Sequence, residues 1–586
     1  MLHTLTRSLR ENKGPALVTV LLSALEVVFE IVIPLFMSNL IDFGIEGGSM
    51  AAVWKFGAFL LLLAAFQLAT GVLAARIAAR ASVGFAANLR EDMYNNVQTF
   101  AFSNIDKFST ASIVTRLTTD TTNVQNAFQM LMRIAIRAPV MLIFSMIVSF
   151  RISRDISMTF LIILPILALA LFFIIRSVFP VFTRVFRTYD ELNNVVQENV
   201  RGIRVVKSFN QERHEIGKFG AISERIYKDF SKGERLITLN APLMQFCIYT
   251  CMIVISWLGA KAIIASGNDP ALGLTTGNLT ALITYTMQIL SSLMMLSMVF
   301  AMLTISLSSA RRIAEVLEER SDIPQPEQPV MTVRDGAVDF DHVSFVYASK
   351  ADKKVLDDID LHIRSGETIG IIGGTGASKS SLVQLIPRLY DVTGGKLTLG
   401  GVDVRDYDLD TLRGAVAMVL QKNELFSGTI AENLRWGNEN ATDEQLRHAC
   451  KLACADGFIS AMPDGYDTHI EQGGTNVSGG QKQRLCIARA LLKKPKILIL
   501  DDSTSAVDTR TDALIRSAFT KEIPNTTKII IAQRIASVQE ADMILVLDDG
   551  KIVSCGTHDE LMQTSPIYRE VYESQTKGDP DNATAS

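Results

Sequence analysis

The sequence predicts a two-part architecture, in which an α-helical domain of six membrane-spanning segments is followed by a soluble α/β domain. The chain has 586 residues, which is too long for a single hydrophobic core. Hydrophobic residues make up 48% of the chain and its mean hydropathy is +0.24, and both values indicate membrane-embedded segments. Every apolar segment of about 20 residues, the length needed to cross a bilayer, lies before residue 310.

The first domain is assigned to residues 1–320. We place its six spans near 15–41, 56–80, 128–150, 156–180, 240–265 and 278–306. Residues 1–13 carry Arg7, Arg10 and Lys13 and then enter the first apolar run, so we expect no cleavable signal peptide there. An even number of spans returns the chain to the side of the membrane on which it began.

The charges of the connecting segments predict the orientation. Residues 76–117 and 176–235 are rich in Arg and Lys, whereas residues 42–52 and 265–277 contain neither. Because positively charged connections stay on the cytoplasmic side, both termini and the soluble domain are expected in the cytoplasm. The short connection with Arg151 and Arg154 runs against this trend. The net charge of −4 gives no reason to expect nucleic acid as a partner.

A linker is predicted over residues 321–336, which hold three prolines and end the helical pattern. After it, apolar strands such as 367–373 and 496–501 alternate with helices, which is the composition of a soluble α/β domain. We assign this domain to residues 337–575. The polar segment 576–586 is expected to be a disordered tail.

A phosphate-binding loop is predicted at residues 373–381, GGTGASKSS, which follow a strand and open a helix. The stretch fits the pattern G-x-x-x-x-G-K-[ST], except that Ser378 replaces the last glycine. Backbone N–H groups of such a loop surround polyphosphate, Lys379 would reach the β- and γ-phosphates, and the Ser380 hydroxyl would ligate Mg²⁺. The serine is unfavourable because glycine reaches backbone conformations that serine resists. The predicted nucleotide-contacting residues of the loop are Gly373, Gly374, Thr375, Gly376, Ala377, Ser378, Lys379, Ser380 and Ser381.

Two further features belong to phosphate chemistry. Asp501 ends the strand 496–500, where a carboxylate commonly holds Mg²⁺ through water. Upstream, the segment NVSGGQKQR (476–484) places Ser478, Gly479 and Gly480 at the start of a helix, which is a second anion-binding arrangement. Since one phosphate loop needs one such arrangement, the second suggests a site that another subunit completes.

Together these motifs resemble those of an ABC exporter half-transporter, which has six spans followed by one ABC nucleotide-binding domain with a helical subdomain. The resemblance extends from about residue 10 to residue 575. Further matching features are Gln421 at the Q-loop position, the signature VSGGQ (477–481), the D-loop SAVD (505–508), and Tyr347 at the position of the aromatic residue that stacks on adenine. Segments 104–112 and 208–215 match the coupling helices, and residues 1–13 resemble the amphipathic elbow helix.

The resemblance implies the ligands and the location. ATP is the expected cofactor, with Mg²⁺ held by Ser380, Gln421 and Asp501. Two nucleotide-binding domains pair head to tail in this family, so the partner's ATP would contact Ser478, Gly479, Gly480 and Gln481. The expected location is the inner (plasma) membrane of a bacterium, and the expected substrates are small hydrophobic or amphipathic compounds, of the multidrug or lipid type.

The chain departs from the family pattern at three positions of its own ATP site. Asp502 stands at the position of the catalytic glutamate, Gln533 at that of the switch histidine, and Ser378 at that of a loop glycine. A positioned base contributes roughly 10²–10⁴ in rate, and a misplacement of about 1 Å can cost about 10². The signature has only a mild change, at Val477. This pattern predicts the degenerate-site subunit of a heterodimer, whose partner supplies the fast site.

The spans offer few indications of the substrate. Glu26 and Glu30 lie one helical turn apart in the first span, and Arg133 and Arg137 form a similar pair in the third. Glu30 is a candidate contact for a cationic or amphipathic substrate, because charge within the bilayer tends to face a cavity or a partner. The alternative is a carboxylate that pairs with an arginine or makes an interhelical hydrogen bond.

Two alternative functions stay open on the same fold. One is a nucleotide-gated channel or sensor, and the other is a homodimeric exporter with two slow sites. Substrate-dependent ATP turnover distinguishes a pump from a channel. Co-purification of a second chain distinguishes a heterodimer from a homodimer.

Overall fold

The structure, a computed structural model, describes residues 1–269, 273–347, 354–502 and 507–576. It divides into two compact units. The first contains Met1–Gln98 and Thr110–Glu319, and the second contains Thr99–Ser109 and Arg320–Ser586. Residues 577–586, nearly all of the predicted tail, lie outside the described residues.

The residues up to 319 are helical almost throughout. Their α-helices are α1 Leu2–Arg7, α2 Lys13–Asn39, α3 Met50–Gln98, α4 Phe102–Phe108, α5 Thr110–Thr115, α6 Thr121–Ile152, α7 Arg154–Arg201, α8 Ile203–Ser208, α9 Glu212–Thr238, α10 Asn240–Ser266 and α11 Thr276–Glu318. Helix α4 belongs to the second unit and the other ten to the first. A 3₁₀ turn spans Arg10–Asn12, and π-helical segments span Leu40–Glu46 and Arg116–Asp120.

The prediction of six spans is confirmed, because six helical segments of the described chain are long and apolar enough to cross a membrane. Several helices extend well beyond the predicted spans. Helix α3 has 49 residues and α7 has 48. At about 1.5 Å per residue each exceeds a hydrocarbon layer of about 30 Å more than twofold. The connecting segments are therefore largely continuations of the spans, as their helical pattern predicts.

Small side chains let the helices of the first unit approach closely. Helix α3 buries Ala74, Ala78 and Ala81 completely, and their spacing of four and three residues places them along one face of the helix. Such stripes are typical of helix contacts within membranes, where backbones approach closely and dispersion forces hold them.

The predicted elbow helix over residues 1–13 is not continuous. Helix α1 ends at Arg7, and Arg10 has a positive φ of 39° before the 3₁₀ turn begins. The Arg10 guanidinium pairs with Glu91, at 3.0 Å, and with Asp92. A continuous helix would need negative φ values throughout, and the positive φ of Arg10 breaks it. The break coincides with the ion pairs that Arg10 makes with α3.

The second unit is an α/β domain. Its strands are β1 Val338–Phe345, β2 Leu356–Ile363, β3 Thr368–Gly373, β4 Gly394–Leu399, β5 Val402–Asp403, β6 Val416–Val419, β7 Gly428–Thr429, β8 His469–Ile470, β9 Ile497–Asp501, β10 Thr527–Ile531, β11 Met543–Asp548 and β12 Lys551–Gly556. Its helices after residue 320 are α12 Lys379–Leu385, α13 Leu409–Ala415, α14 Ile430–Arg435, α15 Asp443–Leu452, α16 Asp456–Ser460, α17 Gly479–Leu492, α18 Thr509–Glu522, α19 His558–Thr564 and α20 Pro566–Thr576. Short 3₁₀ turns span Gly465–Asp467, Gln472–Gly474 and Ile535–Ser537.

The central sheet of this unit positions the segments of the predicted ATP site. Its order is β12-β11-β3-β10-β9-β6, parallel except for the edge strand β12. All five residues of β9 and of β10 are buried, which matches the continuous apolar runs of strands covered on both faces. Ile531 pairs with both Asp501 and Ile371, so β3, β9 and β10 end at the same edge. The segments that follow these three strands are therefore brought together.

A second, antiparallel sheet has the order β2-β1-β4-β5, and β7 pairs with β8 in a two-stranded sheet. Helices α14 to α17 lie in the part of the domain that carries the predicted signature, and α14, α15 and α17 each begin with a capping box. The linker 321–336 contains no helix, as its prolines predict, and Val330 makes an isolated bridge with Tyr407.

Candidate functional site

A cavity of about 760 Å³ lies at the common edge of β3, β9 and β10. The structure brings together here every residue that the sequence analysis assigned to this chain's own ATP site. The predicted site residues that line it are Tyr347, Gly373, Gly374, Thr375, Gly376, Ala377, Ser378, Lys379, Ser380, Ser381, Gln421, Asp501, Asp502 and Gln533.

The phosphate loop connects β3 to α12 through residues with unusual backbone angles. Gly376 has φ 87°, and Ser378 has φ 67° and ψ 21°, which is the left-handed region. The serine therefore occupies the conformation for which the motif uses glycine. The Ser378 side chain makes no capping hydrogen bond to α12.

Lys379 lies over the loop. Its ammonium donates to the carbonyl oxygens of Gly373 and Gly374, at 2.9 and 2.8 Å. Burial lowers the pKa of Lys379, and the nearby carboxylates of Asp501 and Asp502 oppose this change. A cation in this position is suited to bind polyphosphate, because phosphate oxygens would replace the weak carbonyl acceptors.

Ser380 and Asp501, both predicted Mg²⁺ ligands, are neighbours. Asp501 is 3% exposed. Burial raises the pKa of its carboxyl, while a hydrogen bond from Ser380 has the opposite effect. A hydroxyl and a carboxylate beside a phosphate loop are the hard oxygen donors that Mg²⁺ prefers, and Mg²⁺ needs few protein ligands when phosphates supply the rest. These residues therefore fit the ion.

Asp502 is held by two amides. Its Oδ2 accepts hydrogen bonds from Gln533 Nε2, at 2.6 Å, and from Gln421 Nε2, at 3.3 Å. Its backbone N–H donates to Ile531 O at 3.0 Å, its φ is 48°, and its side chain is largely buried. The residues at the base and switch positions are thus in direct contact, and both are joined to the Q-loop glutamine.

Tyr347 lies at the rim of the cavity and is 45% exposed. Its hydroxyl lies 2.7 Å from Ser381 Oγ, and its ring meets the edges of Phe345 and Tyr390 at centroid distances of 4.8 and 5.1 Å. An exposed aromatic ring beside the phosphate loop is suitable for stacking on a base.

Tyr390 also contacts the segment 99–109 of the same unit. Its hydroxyl donates to Asp106 Oδ2 at 2.9 Å, and its ring meets Phe102 edge-on at 6.0 Å. Burial raises the pKa of Tyr390, with a further contribution from Asp106. This segment overlaps the predicted coupling segment 104–112. Tyr390 could not be singled out from the sequence, since a tyrosine after the phosphate-loop helix carries no motif of its own.

The signature residues form a helix N-terminus instead. Ser478 precedes α17, and its Oγ accepts from the Gln481 N–H at 3.3 Å, while Gln481 Oε1 accepts from the Ser478 N–H at 2.9 Å. Ser478, Gly479, Gly480 and Gln481 do not line the cavity formed by the described residues. In the predicted D-loop, Ser505 and Ala506 lie outside the described residues, whereas Asp508 caps α18 through the Thr511 N–H at 2.9 Å.

In the first unit, Arg137 bridges the two glutamates of α2. Its Nη1 lies 2.8 Å from Glu26 Oε1 and its Nη2 lies 2.7 Å from Glu30 Oε2. Gln288 Nε2 donates to the Glu30 carbonyl at 3.2 Å. The geometry corresponds to the alternative in which Glu30 pairs with an arginine. The spacing of Arg133 and Arg137 along α6 does not predict this contact, because the two glutamates lie on another helix.

Comparison with known proteins is consistent with this geometry. The family model for the ABC transporter transmembrane region matches residues 16–294, and the ABC transporter model matches residues 356–505. The chain is 35% identical to the ABC transporter ATP-binding protein YfiB of Bacillus subtilis, over 95% of this chain and 96% of that protein. The chain belongs to the ABC transporter family. It is also 33% identical to the ABC transporter ATP-binding protein MT1311 of Mycobacterium tuberculosis, over 98% of both chains.

A solved structure shares the fold. It is described as a bacterial Atm1-family ABC exporter with ATP bound, and it superposes with a TM-score of 0.82 at 23% identity, covering 96% of this chain and 99% of that one. The predicted half-transporter architecture is therefore confirmed. This chain is a multi-pass inner-membrane protein with a cytoplasmic nucleotide domain, as the charge pattern predicts.

Proposed function

We propose that this chain is one subunit of a heterodimeric ABC exporter that moves amphipathic or hydrophobic compounds, such as drugs or lipids, out of the cytoplasm or the inner leaflet. Its own Walker site binds ATP and hydrolyses it slowly. Its signature completes the partner's catalytic site. The observation that carries the proposal is the 2.6 Å hydrogen bond between Gln533 Nε2 and Asp502 Oδ2.

That contact disfavours base catalysis at this site. A general base must reach the attacking water with a lone pair, and two amide hydrogen bonds already engage Oδ2, one of the two oxygens of the Asp502 carboxylate. Aspartate is also one methylene shorter than glutamate, which withdraws the carboxylate by about 1.5 Å. Glutamine donates a hydrogen bond but does not become cationic as histidine does. These effects act together to slow hydrolysis by at least about 10².

Nucleotide binding does not depend on these two residues. The phosphate loop, Lys379 and the aromatic ring of Tyr347 line the same cavity. Mg²⁺, when bound, would be held by Ser380 and Asp501, with Gln421 nearby, and would neutralise phosphate charge. Binding of ATP without rapid turnover keeps two nucleotide domains closed for longer, which is a regulatory role for a slow site.

The fast site is proposed to lie on the partner's phosphate loop. There this chain supplies the N-terminus of α17, a helix of 14 residues whose first turn is fixed by the Ser478–Gln481 capping box. A helix N-terminus with a hydroxyl and glycine N–H groups stabilises phosphate charge. ATP binding then closes the nucleotide dimer, the coupling segments transmit the closure, and hydrolysis at the partner's site resets the transporter.

The test compares this chain purified alone with the same chain co-purified with its partner. We expect slow ATP turnover alone and turnover at least about tenfold faster in the complex. In the complex, Ser478→Ala should lower turnover about tenfold or more, whereas Asp502→Asn should change it less than about twofold. Brisk turnover by this chain alone, abolished by Asp502→Asn, would refute the proposal and favour a homodimer.

A second experiment distinguishes the exporter from a channel on the same fold. In proteoliposomes, candidate drugs or lipids should change ATP turnover and should move against their gradient only with ATP. Passive ion conductance on ATP binding, with no dependence of turnover on any added compound, would identify a nucleotide-gated channel instead.

A further inference from the structure

The last helix of the described chain holds the switch segment through one side chain. Gln575, in the final turn of α20, accepts a hydrogen bond from the Ile535 N–H through Oε1, at 2.9 Å. Its Nε2 donates to the Gln533 carbonyl oxygen at 2.8 Å. One planar amide thus satisfies a backbone donor and a backbone acceptor two residues apart, as a neighbouring strand would.

These backbone groups depend on Gln575. Ile535 is 1% exposed and begins the 3₁₀ turn Ile535–Ser537, so its N–H is one of the unpaired donors of a helix start. A buried N–H without a partner is costly. Loss of the Gln575 amide would therefore favour a different position of the segment 533–535.

The helix that carries Gln575 is itself firmly placed. Tyr568 of α20 is completely buried, and its hydroxyl lies 2.7 Å from His558 Nδ1 of α19. The Arg569 guanidinium donates to the Met562 carbonyl oxygen at 2.8 Å. These contacts hold the first turns of α20, and Gln575 follows about two turns later, at an exposed position in the last turn.

We propose that Gln575 is a positioning residue of the ATP site, through which α20 holds the switch residue Gln533 against Asp502. The contacts form one line, from Gln575 to the Gln533 backbone and from the Gln533 side chain to Asp502 Oδ2. The inference rests on the proposed function only in assigning Gln533 to the switch position, which faces the γ-phosphate. It does not depend on a heterodimer or on the transported compound.

Loss of the Gln575 hydrogen bonds is expected to accelerate the release of ATP but not that of ADP. Gln575→Met keeps the length of the side chain and removes both hydrogen bonds. The segment 533–535 is then no longer bound to α20. Release of ATP from this chain's site should become roughly three- to tenfold faster, the range that corresponds to about one net hydrogen bond. Release of ADP, which lacks the γ-phosphate, should change by less than about twofold.

The experiment measures release of a fluorescent, non-hydrolysable ATP analogue and of a fluorescent ADP analogue with Mg²⁺ from the full chain in nanodiscs, by stopped flow with excess unlabelled nucleotide. The matched control is Gln563→Met, an exposed position in α19. Gln575→Glu separates the two bonds, since its carboxylate accepts from Ile535 but does not donate to Gln533. It should also accelerate ATP release. Because release is measured without turnover, the result is independent of which subunit hydrolyses ATP.

A double-mutant cycle identifies the route. In a Gln533→Ala background, Gln575→Met should add less than about twofold, because the side chain through which it acts is gone. An equal effect in both backgrounds would overturn the proposal. So would an equal acceleration of ATP and ADP release, or ATP release that Gln575→Met leaves unchanged.

Discussion

Replacement of Ser378 by glycine should stabilise the nucleotide domain. Ser378 adopts φ 67° and ψ 21°, and its side chain provides no capping hydrogen bond that the change would remove. A left-handed conformation costs a residue with a Cβ about 1–2 kcal/mol, and glycine is free of this cost. Glycine gains about 0.5–1 kcal/mol of freedom in the unfolded chain. The net stabilisation should be about 0.5–1 kcal/mol.

The matched control is Ser378→Ala, which keeps the Cβ and its strain but removes the hydroxyl. Its stability should lie within about 0.5 kcal/mol of the parent protein. The difference between the glycine and alanine variants therefore isolates the backbone term.

The assay is urea unfolding of the full chain in detergent, followed by tryptophan fluorescence. The chain has three tryptophans, and Trp436 is the one within the nucleotide domain, so a Trp54→Phe/Trp257→Phe background reports this domain alone. Trp436 stacks on Phe426 at a centroid distance of 4.0 Å, a contact that unfolding removes. With a slope of about 3 kcal/mol per M, the midpoint should rise by about 0.2–0.3 M for Ser378→Gly. A midpoint equal to or below that of the alanine variant would refute the reasoning.

Two other changes test contacts outside the phosphate loop. Arg137→Met should destabilise the protein in detergent by about 3–5 kcal/mol because it leaves Glu26 and Glu30 without their shared partner. Glu30→Gln keeps the Arg137–Glu26 pair and should destabilise the protein far less. Equal thermal midpoints for the two variants would contradict this prediction. Tyr390→Phe should remove the hydrogen bond to Asp106 and increase hydrogen exchange of residues 99–109 by up to about tenfold, whereas exchange in β9 should be unchanged. Equal protection of residues 99–109 in the variant and the parent protein would show that this hydrogen bond does not stabilise the segment.

The phosphate loop and Asp501 could be predicted from the sequence because they follow local rules, whereas Tyr347, Gln421 and Gln533 were assigned through the resemblance to ABC exporters. Phosphate loops connect a strand to a helix, and Asp501 ends a strand whose five residues are all buried. Once β3, β9 and β10 lie side by side in parallel, the loop, Asp502 and Gln533 must converge at one edge. The order of strands was not needed to identify the phosphate loop and Asp501, since these motifs indicate phosphate and Mg²⁺ binding by their own residue types.

Contacts between distant segments could not be predicted in this way. Gln575 lies 42 residues beyond Gln533, and its partners are backbone atoms, which leave no residue pattern. The pairing of Arg137 with two glutamates of another helix depends on how α2 and α6 pack. The elbow helix over residues 1–13 was expected from the resemblance to ABC exporters, whereas the ion pairs of Arg10 accompany a break in the helix. Tertiary contacts overrode local propensity there.

The residues at the base and switch positions are best understood as one unit. The Asp502–Gln533 hydrogen bond, at 2.6 Å, is short, so a glutamate at position 502 would need a different side-chain conformation or a shift of Gln533. Gln533 in turn is held in place by the two hydrogen bonds of Gln575 to the switch backbone. Asp502→Glu is therefore expected to change the position of Gln533 as well as the reach of the carboxylate. The hydrogen bond therefore couples the side chains at the base and switch positions, so a substitution at either position is expected to alter the placement of the other.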